Sequence, residues 1–123
     1  MDIRIIGSGF SVCKLNNLSE MEKLCEYCFL SVTDEEISLV CPTSHVPEST
    51  SAREDGWSMF RIEGQLDFSL IGILAKISAV LAENGIGIFA VSTYNTDYIL
   101  TRTEQFGKAV SALREAGYNI IGE

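Results

Sequence analysis

The sequence predicts an α+β fold: a ferredoxin-like βαββαβ unit over residues 57–123, preceded by a truncated βαββ unit over residues 1–56. Three observations predict it. The second half reads strand, helix, strand, strand, helix, strand, which is the split-βαβ order. The first half repeats the first four of those elements and then supplies no second helix. Finally, 123 residues make one domain or two very small ones. A unit of about 60 residues buries only about 60% of its unfolded surface and is marginal alone. Two units sharing a sheet or a helical layer escape that limit. The chain is 46% hydrophobic and 21% charged, a globular composition rather than a disordered one.

In the first half, residues 3–15 read as a strand, broken at Gly7-Ser8-Gly9 and alternating through Phe10, Val12 and Cys13. Ser19 with Glu22 forms an S-x-x-E capping box and predicts a helix over 20–28, with Met21, Leu24, Cys25 and Cys28 on its core stripe. Phe29–Thr33 and Ile37–Cys41 read as two strands around the acidic turn Asp34-Glu35-Glu36. The stretch from Pro42 to Gly56, with both prolines and no amphipathic pattern, reads as a connector.

In the second half, Trp57–Glu63 reads as a strand and Leu70–Glu83 as a helix stopped by Asn84-Gly85. Ile86–Tyr94 reads as a strand apolar on both faces, which calls for cover from the first unit or from another chain. Asn95-Thr96-Asp97 is a turn, and Tyr98–Thr101 the returning strand. Thr101 with Glu104 is a second capping box, opening a helix with Phe106, Ala109, Val110 and Leu113 at core spacing and Gly117 at its end. Tyr118–Ile121 is the last strand.

Charge and motifs narrow the function. The net charge of −8 argues against nucleic acid and against an anionic membrane surface. Residues 1–56 carry ten acids and four bases, residues 57–123 seven and five, so the acid is concentrated in the first half. The start shows no signal-peptide pattern, and the most apolar run, Leu70–Ala82, is shorter than the roughly 20 residues a span needs. The expected location is the cytoplasm. Cys25-Glu26-Tyr27-Cys28 is formally a C-x-x-C, but no second pair accompanies it. The four cysteines (Cys13, Cys25, Cys28, Cys41) read as core residues rather than a metal or redox centre. His45, the single histidine, reads as a solvated loop residue. No P-loop, G-x-G-x-x-G or G-x-S-x-G occurs, and neither catalysis nor a cofactor is expected.

The junction Gln65–Ile73 is more informative. A helix N-terminus offers unpaired N–H groups and the positive end of a dipole, which suits a small carboxylate. Gly72, read as an early helix residue, carries a cost of about 1 kcal/mol relative to alanine. Close approach of a ligand or of another helix would account for it. Asp67 and Asp97, on nearby loops, could receive an ammonium group. Their alternative roles are a helix cap for Asp67 and a turn cap for Asp97.

Asp67–Ala75 together with Leu81–Phe89 resembles the ACT domain, a small-molecule-binding βαββαβ regulatory module. The run Val91–Leu100 is similar to small tandem-ACT proteins related to the regulatory part of aspartate kinases and to the cellular arginine sensor. The resemblance extends through the first half, by Phe10–Leu15, Phe29–Thr33 and Ile37–Pro42. It implies binding of a free amino acid at an interface between ACT units, without chemistry. Gly72 and its neighbours Leu70, Ile71 and Ile73 would give backbone contacts. Thr93, Asn95, Thr96 and Asp97 would line the other side, with Asp97 at the position where the arginine sensor sets an aspartate against its ligand. The departure is the lack of an attached kinase or other catalytic domain. The alternative is a degenerate ACT pair that only dimerises, as a homodimer, or docks on a partner.

Overall fold

Two long strands set the architecture, and each contributes to two units. A computed structural model describes residues 1–21, 24–64 and 72–122. β1 (Asp2–Leu15) and β4 (Ala52–Ile62) run antiparallel. The Glu63 amide donates to the Asp2 carbonyl at one end, and the Ser51 amide to the Lys14 carbonyl at the other, both at 2.9 Å. The remaining strands are β2 (Phe29–Val32), β3 (Ile37–Pro42), β5 (Phe89–Ser92), β6 (Asp97–Arg102) and β7 (Asn119–Ile121). The helices are α1 (Ile73–Glu83) and α2 (Thr103–Glu115). By their contacts, Met1–Ser8 and Ser58–Glu123 form one unit and Gly9–Trp57 the other. The first eight residues, grouped with the first half by sequence, therefore pack with the second.

The larger unit has the strand order β7-β1-β4-β6-β5. Its α+β, ferredoxin-like character is as expected, with one addition. β7 pairs parallel with β1, Ile3 opposite Ile120, rather than with β4. α1 buries Ile77 and Leu81, one turn apart, and α2 buries Ala109, Val110, Ala112 and Leu113. These stripes close a core with Ile3, Phe60, Ile62, Ile86 and Ile99. Both helices end as their glycines predict. Gly85 and Gly117 take left-handed backbone, and the next residues, Ile86 and Tyr118, donate back to the carbonyls of Leu81 and Leu113.

Three expectations in this unit are corrected. The strand expected at Ile86–Tyr94 is only Phe89–Ser92, and it alternates between half-buried and exposed positions. Ile86 is buried as part of the helix stop, not as a strand residue, so the second apolar face does not exist. Thr101 is no helix cap: it lies in β6 with its side chain fully buried, and α2 begins two residues later. Gly72 is not inside α1 but just before it.

The smaller unit has the order β2-β3-β1-β4 around Leu15, Leu39 and Cys41. The expected helix over 20–28 is absent among its described residues (Glu22 and Lys23 lie outside them). In its place is a 3-10 turn, Leu18–Glu20. Glu20 Oε1 accepts from the amides of Asn16 (2.5 Å) and Asn17 (2.9 Å), so the acidic cap acts two residues ahead of the Ser19/Glu22 box. Cys25–Cys28 accordingly sits in a turn, where Tyr27 has φ 59°, rather than closing a helix. β4 starts at Ala52, five residues before the expected strand. Residues 52–56 are all exposed, and backbone pairing to β1 rather than an apolar pattern holds them extended.

The hairpins β2–β3 and β5–β6 repeat each other at an offset of 60 residues, 29–32 against 89–92 and 37–42 against 97–102. Thr33 and Thr93 open equivalent turns, their amides donating to the carbonyls of Glu36 (3.0 Å) and Thr96 (2.8 Å). The repeat continues into the next element. Pro42 (φ −56°, ψ 140°) and Arg102 (φ −58°, ψ 140°) precede Thr43 and Thr103, each the first residue of a helical turn. A strand serine meets each threonine, Ser11 to Thr43 at 2.7 Å and Ser58 to Thr103 at 2.9 Å. α2 runs on for 13 residues, whereas its counterpart stops at His45 after three. Pro47 is the physical reason: it drives the residue before it out of helical conformation, and Val46 is extended at ψ 130°.

Candidate functional site

The candidate site gathers at the end of β4 and the tip of the β5–β6 hairpin. Thr96 is buried and its hydroxyl donates to the Ile62 carbonyl at 2.7 Å, tying the hairpin tip to the last residue of β4. Its own carbonyl accepts both the amide and the hydroxyl of Thr93, at 2.8 and 3.1 Å. Thr93 and Asn95 are exposed on the tip. Asp97 opens β6, half-buried, and Ser92 Oγ donates to its Oδ1 at 2.5 Å across the strand pair. Ser92 was missed by sequence reasoning. The β-pairing that sets it opposite Asp97 was its only signal.

Beyond β4 the chain passes through residues 65–71. Asp67, Leu70 and Ile71 of the predicted site lie there, outside the described residues. Gly72 follows, exposed, with left-handed backbone (φ 83°, ψ −1°), and caps α1. Its carbonyl accepts the Lys76 amide at 2.9 Å. A Cβ on Gly72 would meet no atom of the described residues within 4 Å. The glycine suits a backbone conformation that is costly for other residues. As a cap without a side chain it offers the first-turn amides of Ile73, Leu74 and Ala75 no partner of its own. Ile73 meanwhile turns its side chain to the core.

Beside this end of β4, Glu63 accepts from Arg4 Nε and Arg61 Nε, both at 2.9 Å, through different carboxylate oxygens. The Arg4 bond, reinforced by Arg61, holds the Glu63 carboxyl below its ordinary pKa. Arg61 also lies over the Tyr98 ring, 5.8 Å from its centre.

The thiols differ in environment, and the contact with Cys41 holds the Cys13 thiol below its ordinary pKa. Cys13 and Cys41 are buried. The contact with Cys13, with burial, pushes the Cys41 thiol well up, and burial does the same to Cys25. Held protonated, Cys25 and Cys41 are poor nucleophiles and poor metal ligands. Cavities formed by described residues include one of about 300 Å³ between Ser58, Thr103 and Phe106 and one of about 460 Å³ beside Glu20 and His45. Neither is lined by a residue of the predicted site.

The comparisons bear on family and fold. A family model described as an ACT domain matches residues 52–115. This chain belongs to the ACT-domain family. That match spans Gly72, the β5–β6 hairpin and both helices. Among solved structures, a protein of Agrobacterium tumefaciens is similar, with a TM-score of 0.82, 28% identity, and coverage of 99% of this chain and 92% of that one. The regulatory subunit of aspartate kinase from Thermus thermophilus, in its ligand-free form, shares the fold at TM-score 0.67 and 12% identity, over 94% of this chain and 96% of that one. Aspartate kinase from Clostridium acetobutylicum matches at TM-score 0.69 and 18% identity, over 93% of this ACT chain but 34% of the kinase. No helix among the described residues is long and apolar enough to cross a membrane.

Proposed function

We propose that this chain is a regulatory ACT module that binds a free amino acid, at an interface between ACT units, and does no chemistry itself. The observation that carries this reading is the ACT match over 52–115, which includes Gly72, Thr93, Asn95, Thr96 and Asp97. Within it, two groups of opposite polarity stand at element ends: the first-turn amides of α1 after Gly72, and the Asp97 carboxylate. A zwitterionic amino acid needs both, N–H groups for its carboxylate and an acid for its ammonium. The exposed Thr93 and Asn95 would add polar contacts. Thr96, its hydroxyl already given to Ile62, would act by fixing the hairpin. The reading in which the chain only docks or dimerises loses one of its two motives, because β5 has one apolar face rather than two; the acidic first half remains.

Thermal-shift and calorimetric titration with the twenty amino acids tests the proposal. At least one should raise the melting temperature at millimolar concentration, and Asp97→Ala should weaken that response at least tenfold. If no amino acid shifts the wild-type protein, the reading fails. A response unchanged in Asp97→Ala would remove Asp97 from the site.

A further inference from the structure

The two long strands repeat each other as the hairpins do, at an offset of 47 residues, Gly9 against Gly56 and Ser11 against Ser58. Both glycines take left-handed backbone, at φ 83° and 86°. Two residues later, each serine meets the threonine that opens a helical turn. The residues just before the glycines, Asp55 and Ser8, are therefore counterparts. In the smaller unit the hydroxyl pair holds an acid: Ser11 Oγ donates to Asp55 Oδ1 at 2.6 Å and lies 2.7 Å from Thr43 Oγ1. In the larger unit the Ser58–Thr103 pair has only the shorter Ser8 in that place. A cavity of about 300 Å³ opens there, with Ser8, Thr103, Ile5 and Phe106 in its lining.

The surroundings define what the cavity takes. In the smaller unit Arg53 Nε also donates to Asp55 Oδ1, at 2.8 Å. Its counterpart at the same offset is Ile6, so that cation is not repeated. A helix replaces it. Thr103 is the first residue of α2, 13 residues long, where Thr43 opens a turn of three, and the positive end of a helix favours an anion. Ser58 is buried while Thr103 and Ser8 are exposed, so Thr103 is the member of the pair that reaches the cavity. With Ser58 donating to Thr103 Oγ1, the hydroxyl hydrogen of Thr103 is left for a ligand. Ile5 and Phe106 supply apolar wall for a short stem. Among the described residues no charged side chain lines the cavity. Nothing there receives an ammonium group, so a simple carboxylate fits where a zwitterion does not.

We infer that this cavity is a second ligand site, taking a small monocarboxylate whose oxygens accept from the hydroxyls of Thr103 and Ser8, where the smaller unit sets its own Asp55. It is separate from the amino-acid site proposed above and does not depend on it. NMR titration of the isotope-labelled chain with propionate, and with propionamide, which has the same stem without the charge, tests it. Propionate should give saturable shifts at the amides of Gly7, Ser8 and Thr103, and propionamide should not. Thr103→Val, which keeps the shape and removes the hydroxyl, should weaken propionate binding about tenfold. Ser8→Asp, which installs the carboxylate of the smaller unit, should abolish it. Asp97→Asn should leave it unchanged. Absence of saturable shifts in the wild-type protein, or equal binding of propionamide, would overturn the inference. So would wild-type affinity in either Thr103→Val or Ser8→Asp, or loss of binding in Asp97→Asn.

Discussion

The two hairpins share a backbone and differ in what they carry. In β2–β3 the residues flanking the turn are Val32 and Ile37, and the position before β3 is Glu36. In β5–β6 the same places hold Ser92, Asp97 and Thr96. An apolar cross-strand pair has become a hydroxyl donating to a carboxylate, and an exposed glutamate has become a buried threonine bonded to Ile62. A similar contrast extends through the units. One has two helices over its core, the other buries Phe10, Cys13, Leu15, Leu39, Val40 and Cys41 without an α-helix among its described residues. Repetition of a backbone does not repeat a site. Polar groups at the hairpin end appear in the unit whose core is large enough to hold them in place.

Core truncation should expose the contrast most strongly. Leu113→Ala in the larger core is expected to cost about 3–4 kcal/mol, and Leu39→Ala in the smaller one about 2–3, both read by urea unfolding. The thin cluster can settle around a lost side chain more readily. Equal losses would mean that the units are equally tightly packed. At the hairpin tips, Thr96→Val leaves the Ile62 carbonyl without its donor and should cost about 1–2 kcal/mol. Glu36→Val, at the equivalent place, should stay within about 0.5 kcal/mol. A neutral Thr96→Val would remove the tether from the account.

The smallest expected effect is electrostatic. Glu63 has its pKa lowered in the fold by Arg4 and Arg61, so its contribution is complete above its unfolded value, about 4.3, and disappears as pH falls through the lower folded one. Arg4→Met should therefore cost about 0.5–1 kcal/mol at pH 7, and the difference from wild type should shrink below about pH 4. A difference that grew on acidification would reverse the assignment.

Local signals were legible in the sequence wherever local chemistry decides the structure. Gly85 and Gly117 stop helices, Asp34–Glu36 and Asn95-Thr96-Asp97 mark hairpin turns (although Asp97 itself opens β6), and Phe106, Ala109, Val110 and Leu113 mark the core stripe of α2. Signals failed where two local options competed or a distant partner decided. Ser19 reads as the cap, but the Glu20 carboxylate closes the turn at Asn17. Residues 52–56 have no strand pattern and are extended because β1 pairs with them. Of the candidate site, the hairpin could be read in advance. The left-handed conformation of Gly72 could not, nor could the commitment of Thr96 to Ile62, which needs β4 and the hairpin already assembled.

The parallel pairing of β1 with β7 has a kinetic consequence. Ile3 faces Ile120, so one ladder joins residues nearly a chain length apart. During synthesis β1 and β4 can pair once residue 63 is available, but Asp2–Arg4 must wait for residue 121 before their other edge is covered. Closing so long a loop is entropically slow and favours late formation. Until then an apolar edge at Ile3 stays open, so the amino-acid-binding half proposed here would be the last part of the molecule to become complete.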